Sequence, residues 1–229
     1  TEIKSFSNTK FIFIKIIKDF IKRLIYFRFK EFYKLYRYYL RLVSTHFKLK
    51  NSINKVSFIA VEPNFLHFNN SIYKKANLLI PCAIDDRSKN SFDITKLYIA
   101  NGNKLSEGNS IFSNKKNINK NNYLFVPSIS TEALINIIKN KFFKKNLKII
   151  LRLNCEGAED QIIIKFKEYF PENLVGILGS LKDVIDIKGL KKYKELLIYM
   201  KKNNLKFIEF SCNLFSWAEA HAFILSNLK

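Results

Sequence analysis

One apolar run, LKIILRL at residues 147–153, constrains the fold more than any other part of the chain. It is the most continuous apolar run of the sequence, and a strand that is hydrophobic on both faces belongs in the buried middle of a parallel sheet. We therefore expect a central strand here. NCEGAED follows directly, and one of the chain's six glycines, Gly157, stands in it between two glutamates. A glycine at the end of a strand lets the backbone pass close to a ligand or a neighbouring element.

Strand and helix patterns alternate through much of the sequence. Short β-rich runs predict strands at residues 56–61, 78–84, 91–97, 124–129, 174–178 and 206–211. Three- and four-residue apolar spacing predicts helices at residues 65–75, 131–145, 158–169, 190–202 and 217–225, with Ser130 or Thr131 as a cap. The Asn-rich segment 101–123 has no periodicity and is predicted to be a loop. The alternation predicts an α/β sandwich with a mostly parallel sheet.

Residues 9–44 have the pattern of a basic amphipathic helix. The basic positions are Lys15, Lys18, Lys22, Lys30, Lys34, Arg37 and Arg41, and the apolar positions are Ile17, Phe20, Leu24, Phe27, Leu35, Tyr38 and Leu42. Such a helix can lie on an anionic membrane with its lysines toward the headgroups. The pattern is equally typical of a helix that packs its apolar face on its own domain. We expect residues 1–50 to form a helical extension and residues 51–229 to form the main domain.

The formal net charge of +21 favours an anionic partner, although the abundance of Lys, Asn and Ile also matches A/T-rich codons. We expect no nucleic acid partner, because the charge is spread along the chain and no nucleic-acid-binding motif is visible. The apolar start is interrupted by Lys15 and Lys18, so we expect neither a signal peptide nor a membrane span. Lys115, Lys116 and Lys120 could meet an acidic acceptor, but solvated loop lysines are the simpler interpretation.

The three cysteines are Cys82, Cys155 and Cys212, and they lie far apart. Their odd number and wide spacing match neither a disulfide framework nor a zinc site, which indicates a reducing, cytoplasmic setting, with peripheral membrane contact as an option. The histidines are equally scattered, so we expect no metal site.

Two polar turns follow predicted strands: residues 62–64 and residues 154–159. In open α/β sheets, ligands bind outside the carboxyl ends of the strands. A carboxylate at such a place can accept hydrogen bonds from ribose hydroxyls, so these turns indicate a nucleotide-like cofactor site. The alternative is that Glu156 or Glu159 caps the following helix, whose N-terminus favours acidic residues.

Four stretches resemble, in order, motifs of the FkbM family of S-adenosylmethionine-dependent methyltransferases. LRLNCEGAED at 151–160 is similar to the family's K-I-D-V-E-G-A-E motif, and FIAVEPNFLHF at 58–68 is similar to its strand ending in F-E-P-N-P. IPCAIDDRSKNSFDI at 80–94 resembles its A-I-S-D segment, and VPSISTEALI at 126–135 resembles its V-x-T-L-D-x-L stretch. The resemblance spans residues 56–165.

The resemblance implies a Rossmann-like domain that moves a methyl group from S-adenosylmethionine to an acceptor, often a hydroxyl group of a sugar or another small molecule. It implies that Glu62 binds the ribose hydroxyls and that other cofactor-binding residues line the adenine. It also implies a catalytic group that faces the methyl and the acceptor. The cofactor-binding residues are Glu62, Asn64, Ala83, Ile84 and Asp85, and the catalytic group is Glu156, Asn154 and Glu159. Glu156 is the better candidate for the base that takes the hydroxyl proton.

The chain departs from the family pattern at two places. Asn154 stands where the family has an aspartate, and an amide cannot accept a proton as a carboxylate does. The family's glycine turn belongs about 20 to 30 residues before Glu62, but the first glycine of this chain is Gly102. Two functions are therefore predicted. The chain is either an FkbM-like methyltransferase with a small-molecule or glycan acceptor, or a noncatalytic relative that serves as a binding or membrane-associated module.

Overall fold

The computed structural model describes residues 36–37, 40, 43–44, 47–48, 56–70, 73–88, 90–101, 108–142, 146–209 and 214–227. The chain divides into two compact units. The larger one consists of residues 60–69 and 79–209, and the smaller one consists of residues 1–59, 70–78 and 210–229. The predicted boundary between residues 50 and 51 lies outside the described residues and stays a prediction.

Eight strands and four α-helices lie within the described residues. The strands are β1 (Ile59–Val61), β2 (Leu78–Ile80), β3 (Ala83–Ile84), β4 (Phe92–Ala100), β5 (Ile118–Ile129), β6 (Ile149–Leu153), β7 (Leu174–Gly179) and β8 (Lys206–Glu209). The helices are α1 (Thr131–Phe142), α2 (Glu159–Tyr169), α3 (Lys182–Lys202) and α4 (Leu214–Asn227). From β5 onward a helix follows each strand, which confirms the predicted α/β class.

The described strands form three sheets. β1 pairs with β2, β3, β5 and β4 form a second sheet in that order, and β6, β7 and β8 form a third. The third sheet is parallel throughout. In the second sheet, β5 is parallel to β3 and antiparallel to β4. In a wholly parallel sheet, such as the third, helical crossovers between the strands cover the faces of the sheet and so bury them.

Among the strands that the structure describes, β7 and not β6 has the middle position of the third sheet, which corrects the expectation of a central strand at residues 147–153. β7 is buried at five of its six positions, whereas β6 is buried only at Leu153. Gly179 explains part of this packing: a Cβ atom added there would lie 2.4 Å from the carbonyl oxygen of Leu153. The glycine therefore lets the ends of β6 and β7 approach closely.

The predicted loop at residues 101–123 is wrong from Ile118 onward, where β5 begins. β5 pairs with β4 over most of its length, with Tyr98 opposite Tyr123 and Lys96 opposite Phe125. The first half of β5 is rich in exposed asparagines, so it lacks the apolar alternation by which a half-buried strand is recognised. Its register with β4 is irregular, because Tyr98 lies opposite Tyr123 and Ala100 lies opposite Ile118, which gives residues 119–122 no partner position in β4.

Proline breaks one predicted strand and short turns replace one predicted helix. The run at residues 78–84 is split at Pro81, which has no N–H to donate, into β2 and β3, two strands of different sheets. The helix predicted at residues 65–75 is wrong: the described residues there form 3₁₀ turns at Phe65–His67 and Tyr73–Lys75.

Helix α3 begins earlier than predicted and is not continuous. Gly189 has φ 86° and ψ 163°, which breaks the helix between a first segment, residues 182–188, and a second segment, residues 190–202. Only the second segment was predicted. Because glycine has no Cβ, it adopts a positive φ that other residues avoid, so the break belongs at this position.

The smaller unit is described in part. The described positions among residues 36–48 are helical, but most of the helix predicted at residues 9–44 lies outside the described residues. Phe58 and Asn77 are joined by hydrogen bonds in both directions, and Ala220 and Phe223 of α4 are buried. Across the part of the chain that the structure describes, no helix combines the length and apolarity that a bilayer crossing requires.

Candidate functional site

The turn after β6 contains residues with positive φ angles, which agrees with the glycine in its sequence. Beyond the buried Leu153, Asn154 is exposed, and both Glu156 (φ 55°) and Gly157 (φ 121°) have positive φ angles. A Cβ atom on Gly157 would lie 2.5 Å from Cδ1 of Ile187 and 2.9 Å from Cδ2 of Phe112. Gly157 is thus needed both for its backbone angle and for the close approach of its neighbours.

Glu159 holds this turn in place. One of its carboxylate oxygens accepts the backbone N–H of Cys155 at 2.9 Å, and the other accepts the N–H of Gly157 at 2.8 Å. The side chain is buried, and burial raises its pKa although these hydrogen bonds lower it. Glu159 is the first residue of α2, so its position agrees with the predicted alternative that an acidic residue stabilises the start of this helix.

Glu62 lies near the same turn. Burial, followed by the negative charge of Glu159, raises the pKa of the Cys155 thiol to about 12, and the charge of Glu62 contributes to the increase. A charge acts on a thiol only over short distances. The charge that follows β1 therefore reaches the thiol in the turn that follows β6, and in open α/β sheets ligands bind outside the carboxyl ends of the strands.

Glu62 is also bound to its own turn. Its Oε1 accepts the N–H of Asn64 at 2.8 Å, and its Oε2 lies 3.5 Å from Nδ1 of His67. Asn64 is buried, and its Oδ1 accepts the N–H of Leu66 at 3.2 Å, which caps the 3₁₀ turn. Asn64 thus shapes the backbone that presents Glu62.

A buried ion pair joins Glu156 to Lys115. The Lys115 ammonium contacts Oε2 of Glu156, lies 3.3 Å from Oδ1 of Asp183, and donates to the carbonyl oxygen of Gly108 at 3.1 Å. The Lys115 side chain is only 7% exposed, so its interpretation as a solvated loop lysine is wrong. No local pattern identifies it, because its carboxylate partners lie far along the chain.

A cleft of about 290 Å³ opens beside this ion pair. Its walls carry ammonium, carboxylate and amide groups within a small volume. The lining residues are Gly108, Lys115, Lys116, Asn117, Glu156, Asp183 and Asp186. A surface of both signs is suited to a polar, hydroxylated molecule, and Glu156 is the lining residue that the sequence had indicated as a base.

The first segment of α3 covers the turn at residues 156–160. The Nδ2 of Asn114 donates to the carbonyl oxygen of Ile187 at 3.0 Å, and Lys188 donates to the buried carboxylate of Asp160 at 2.5 Å. Lys116 lies 3.4 Å from Asp186 in a more exposed pair. Together with the contact of Asp183 with Lys115, these interactions attach the segment to the wall of the cleft.

The residues predicted to surround adenine have mainly structural contacts. Ala83 is buried in an apolar cluster, and Ile84 is half-buried in β3. The Asp85 carboxylate accepts two hydrogen bonds from the Arg87 guanidinium at 2.8 and 2.6 Å, and one from the Thr95 hydroxyl at 2.8 Å. Burial raises the pKa of Asp85, but these hydrogen bonds outweigh it and the net pKa is lowered.

A neighbouring aspartate, not indicated by the sequence, anchors helix α1. The carboxylate of Asp86 accepts both the N–H and the hydroxyl of Thr131 at 2.7 Å. The predicted cap at Ser130 is confirmed, because its hydroxyl accepts the N–H of Ala133 at 3.1 Å. Helix α1 is thereby fixed to the turn that follows β3.

The predicted site residues fall into two groups. The structure brings Asn154, Glu156 and Glu159 into one turn with Glu62 nearby, whereas Ala83 and Asp85 serve the packing of β3. Among the described residues, no group of His, Cys, Asp and Glu side chains has an arrangement that could hold a metal ion. Comparison of the chain with protein-family models, curated proteins and solved structures found no match.

Proposed function

We propose that this chain is a methyltransferase of the FkbM type, with a Rossmann-like domain, that uses S-adenosylmethionine to methylate a hydroxyl group of a sugar or another small molecule. The observation that carries the proposal is that the charge of Glu62, which follows β1, contributes to the raised pKa of Cys155 in the turn that follows β6. In an open α/β sheet a nucleoside usually binds outside the carboxyl ends of the strands, where a carboxylate can accept its ribose hydroxyls.

The residues present fit the nucleoside end of the cofactor. Glu62 accepts the N–H of Asn64 and contacts His67, and in the proposed complex its carboxylate also accepts a ribose hydroxyl. Asn64 keeps this carboxylate in place through the turn that it caps, and Ile84 offers an apolar edge for the base. No glycine precedes Glu62 in the sequence, so the fit covers the nucleoside end alone.

S-adenosylmethionine supplies an electrophilic methyl group when it is bound. The part that falls to this chain is to align a hydroxyl acceptor and to take its proton. Glu156 lines the cleft, and its carboxylate contacts the Lys115 ammonium, so it is the carboxylate that we assign to take the proton of the acceptor. Asn154 is exposed beside it and can orient the acceptor by hydrogen bonding.

A noncatalytic binding module is the second candidate, and a specific observation favours it. Both oxygens of Glu159 are occupied by backbone N–H groups, and Glu156 is held in an ion pair with Lys115. The carboxylates of the turn thus already stabilise the fold, as they would in a relative that has kept the architecture and lost the chemistry.

Calorimetric titration of the full chain with S-adenosylmethionine and S-adenosylhomocysteine distinguishes the two candidates. We expect saturable binding of both, and Glu62→Gln should weaken it by about tenfold or more, because a hydrogen bond to a charged group is lost. Glu195→Gln is the matched control, since Glu195 is exposed on α3. A folded chain that gives no heat with either compound would exclude the methyltransferase and leave the binding module.

Turnover tests the role of Glu156 separately. With hydroxylated sugars as acceptors, formation of S-adenosylhomocysteine should fall by about 10²- to 10⁴-fold in Glu156→Gln. Cofactor binding should be unchanged in this variant, because Glu156 lies at the acceptor side. If turnover stays the same, Glu156 is not the base.

A further inference from the structure

The two faces of the β4–β5 pair differ from those of an ordinary antiparallel sheet. The inner face is conventional: Leu97 and Val126 pack with Ala83 and Ile111 in an apolar cluster, and Leu124 contacts this cluster from its edge. Since one face is buried, the other is expected to carry polar side chains.

The outer face of the pair is instead largely apolar. The strand register and the alternation of side chains place eight residues on it: Phe92, Ile94, Lys96 and Tyr98 of β4, and Tyr123, Phe125, Pro127 and the buried Ile129 of β5. Phe92, Ile94 and Phe125 are each between 67% and 69% exposed. Exposed apolar groups that adjoin in this way mark a surface that contacts a protein or a membrane.

Charge narrows the range of partners for this outer face. The chain has a formal net charge of +21, so two copies repel each other, whereas an anionic partner is attracted. Lys96 lies within the face, with its ammonium 4.2 Å from the centre of the Tyr123 ring. A cation among exposed aromatic side chains fits a partner that is apolar inside and negative at its surface.

The ring geometry argues against single-stranded nucleic acid, which needs open aromatic faces on which its bases stack. Tyr123 is in edge contact with both neighbours, at 6.0 Å from Tyr98 with an interplanar angle of 66° and at 5.4 Å from Phe125 with an angle of 83°. Lys96 lies over the ring face of Tyr123. The centre of the outer face is therefore closed to stacking, while its apolar rim is exposed.

We propose that the outer face of the β4–β5 pair docks on an anionic lipid bilayer. Phe92, Ile94 and Phe125 enter the interface between headgroups and acyl chains, where aromatic side chains are favoured. Lys96 keeps its stem along the aromatic rings and its ammonium near the phosphates. The proposal is independent of the methyltransferase proposal, because it uses none of the residues of that site.

Cosedimentation of the full chain with phosphatidylcholine vesicles, with and without phosphatidylserine, tests the proposal. We expect binding that requires phosphatidylserine and weakens with salt. The double variant Phe92→Ser with Phe125→Ser should lower the partition coefficient by on the order of tenfold per residue. The matched control is Leu190→Ser with Ile198→Ser, which removes two apolar side chains of α3 that are 54% and 68% exposed.

Equal binding of the two double variants would overturn the proposal, because the lipid would then be held by another part of the chain. Circular dichroism of each variant verifies that it is folded. Hydrogen exchange supplies an independent measurement: vesicles with phosphatidylserine should protect peptides from residues 92–100 and 118–129. A loss of RNA binding in the Phe92 and Phe125 variant, with vesicle binding unchanged, would assign the face to nucleic acid instead.

Discussion

Cδ1 of Ile187 lies 2.5 Å from the point that a Cβ atom on Gly157 would occupy. The first segment of α3 can therefore pack on the turn after β6 only because residue 157 has no side chain. This contact places Asp183 at the cleft, beside the ion pair of Lys115 and Glu156.

Alanine substitutions at Gly157 and Gly189 should separate steric from conformational strain. Both residues have a positive φ, but no atom lies within 4 Å of a Cβ placed on Gly189. We expect Gly189→Ala to lower the free energy of unfolding by about 1–3 kcal/mol through backbone strain. Gly157→Ala should lower it by a further roughly 1–3 kcal/mol through overpacking. Urea denaturation followed by circular dichroism measures both values, and equal losses would contradict the packing of Ile187 on Gly157.

Removal of Lys115 should cost much more stability than removal of Lys116. Lys115→Met leaves Glu156 and Asp183 without their buried cation, so we expect a loss of about 3–5 kcal/mol. Lys116→Met is the matched control: its side chain is 79% exposed, and about 0–1 kcal/mol is expected.

Combining Lys115→Met with Glu156→Gln should recover part of the lost stability, because the unpaired carboxylate is then neutral. Urea unfolding of the single and double variants gives this coupling directly. Strictly additive losses would mean that Lys115 and Glu156 do not interact.

Asp85→Asn should destabilise the chain in a way that depends on pH. Burial raises the pKa of Asp85, but the hydrogen bonds from Arg87 and Thr95 bring it below the ordinary value of 3.8. A lowered pKa stabilises the folded state fully above the unfolded value, and the contribution is lost as pH falls through the folded pKa. The Arg87 side chain is 46% exposed, so solvent screening limits the loss at neutral pH to about 1 kcal/mol.

Unfolding in urea at neutral pH and at several values below pH 3.8 checks this expectation. The difference in the free energy of unfolding between the parent chain and Asp85→Asn should shrink as the pH is lowered. A difference that stays constant at all pH values would mean that the hydrogen bonds from the Arg87 guanidinium are not its source.

Cys155 should react slowly with iodoacetamide in the folded chain. Burial, followed by the charge of Glu159, raises its pKa to about 12, so little thiolate is present at neutral pH. Glu62→Gln removes a further negative charge and should accelerate the alkylation of Cys155 a few-fold, whereas Glu195→Gln should not. Mass spectrometry of the Cys155 peptide measures the rate. An unchanged rate in Glu62→Gln would mean that the charge of Glu62 does not act on Cys155. The main support for the proposed function would then be lost.

The sequence predicted best those elements whose own residues bury one face. Helices α1 and α2 lie within the predicted ranges, and β6 and β7 differ from them by only a residue or two. Each carries enough apolar side chains at regular spacing to be recognised without knowledge of its neighbours.

Elements that depend on distant partners were missed. The first half of β5 is paired with β4 only at its two ends, Ile118 and Tyr123, and its exposed asparagines carry no apolar signal. The first segment of α3 is attached through Asp183, Ile187 and Lys188 to residues far away in the sequence. Neither contact leaves a local pattern.

The candidate site was predicted in part for the same reason. The glutamates around Gly157 were visible because they directly follow a strand, and the positive φ of Gly157 agrees with its place in the turn. The sequence predicts a solvated Lys115 because this lysine stands in an Asn-rich segment without apolar periodicity. Its burial follows only from the meeting of Glu156, Asp183 and Gly108 in space.

Because Gly189 breaks α3, we expect its two segments to unfold as two cooperative units instead of one. A helix interrupted in its hydrogen-bond ladder can open on one side of the break without opening on the other, at a free energy below that of global unfolding. Residues 182–188 would then detach while the second segment stays folded, which uncovers the cleft wall that carries Asp183 and Asp186. Limited proteolysis should therefore cut first beside Gly189, and a molecule that binds in the cleft should slow this cut.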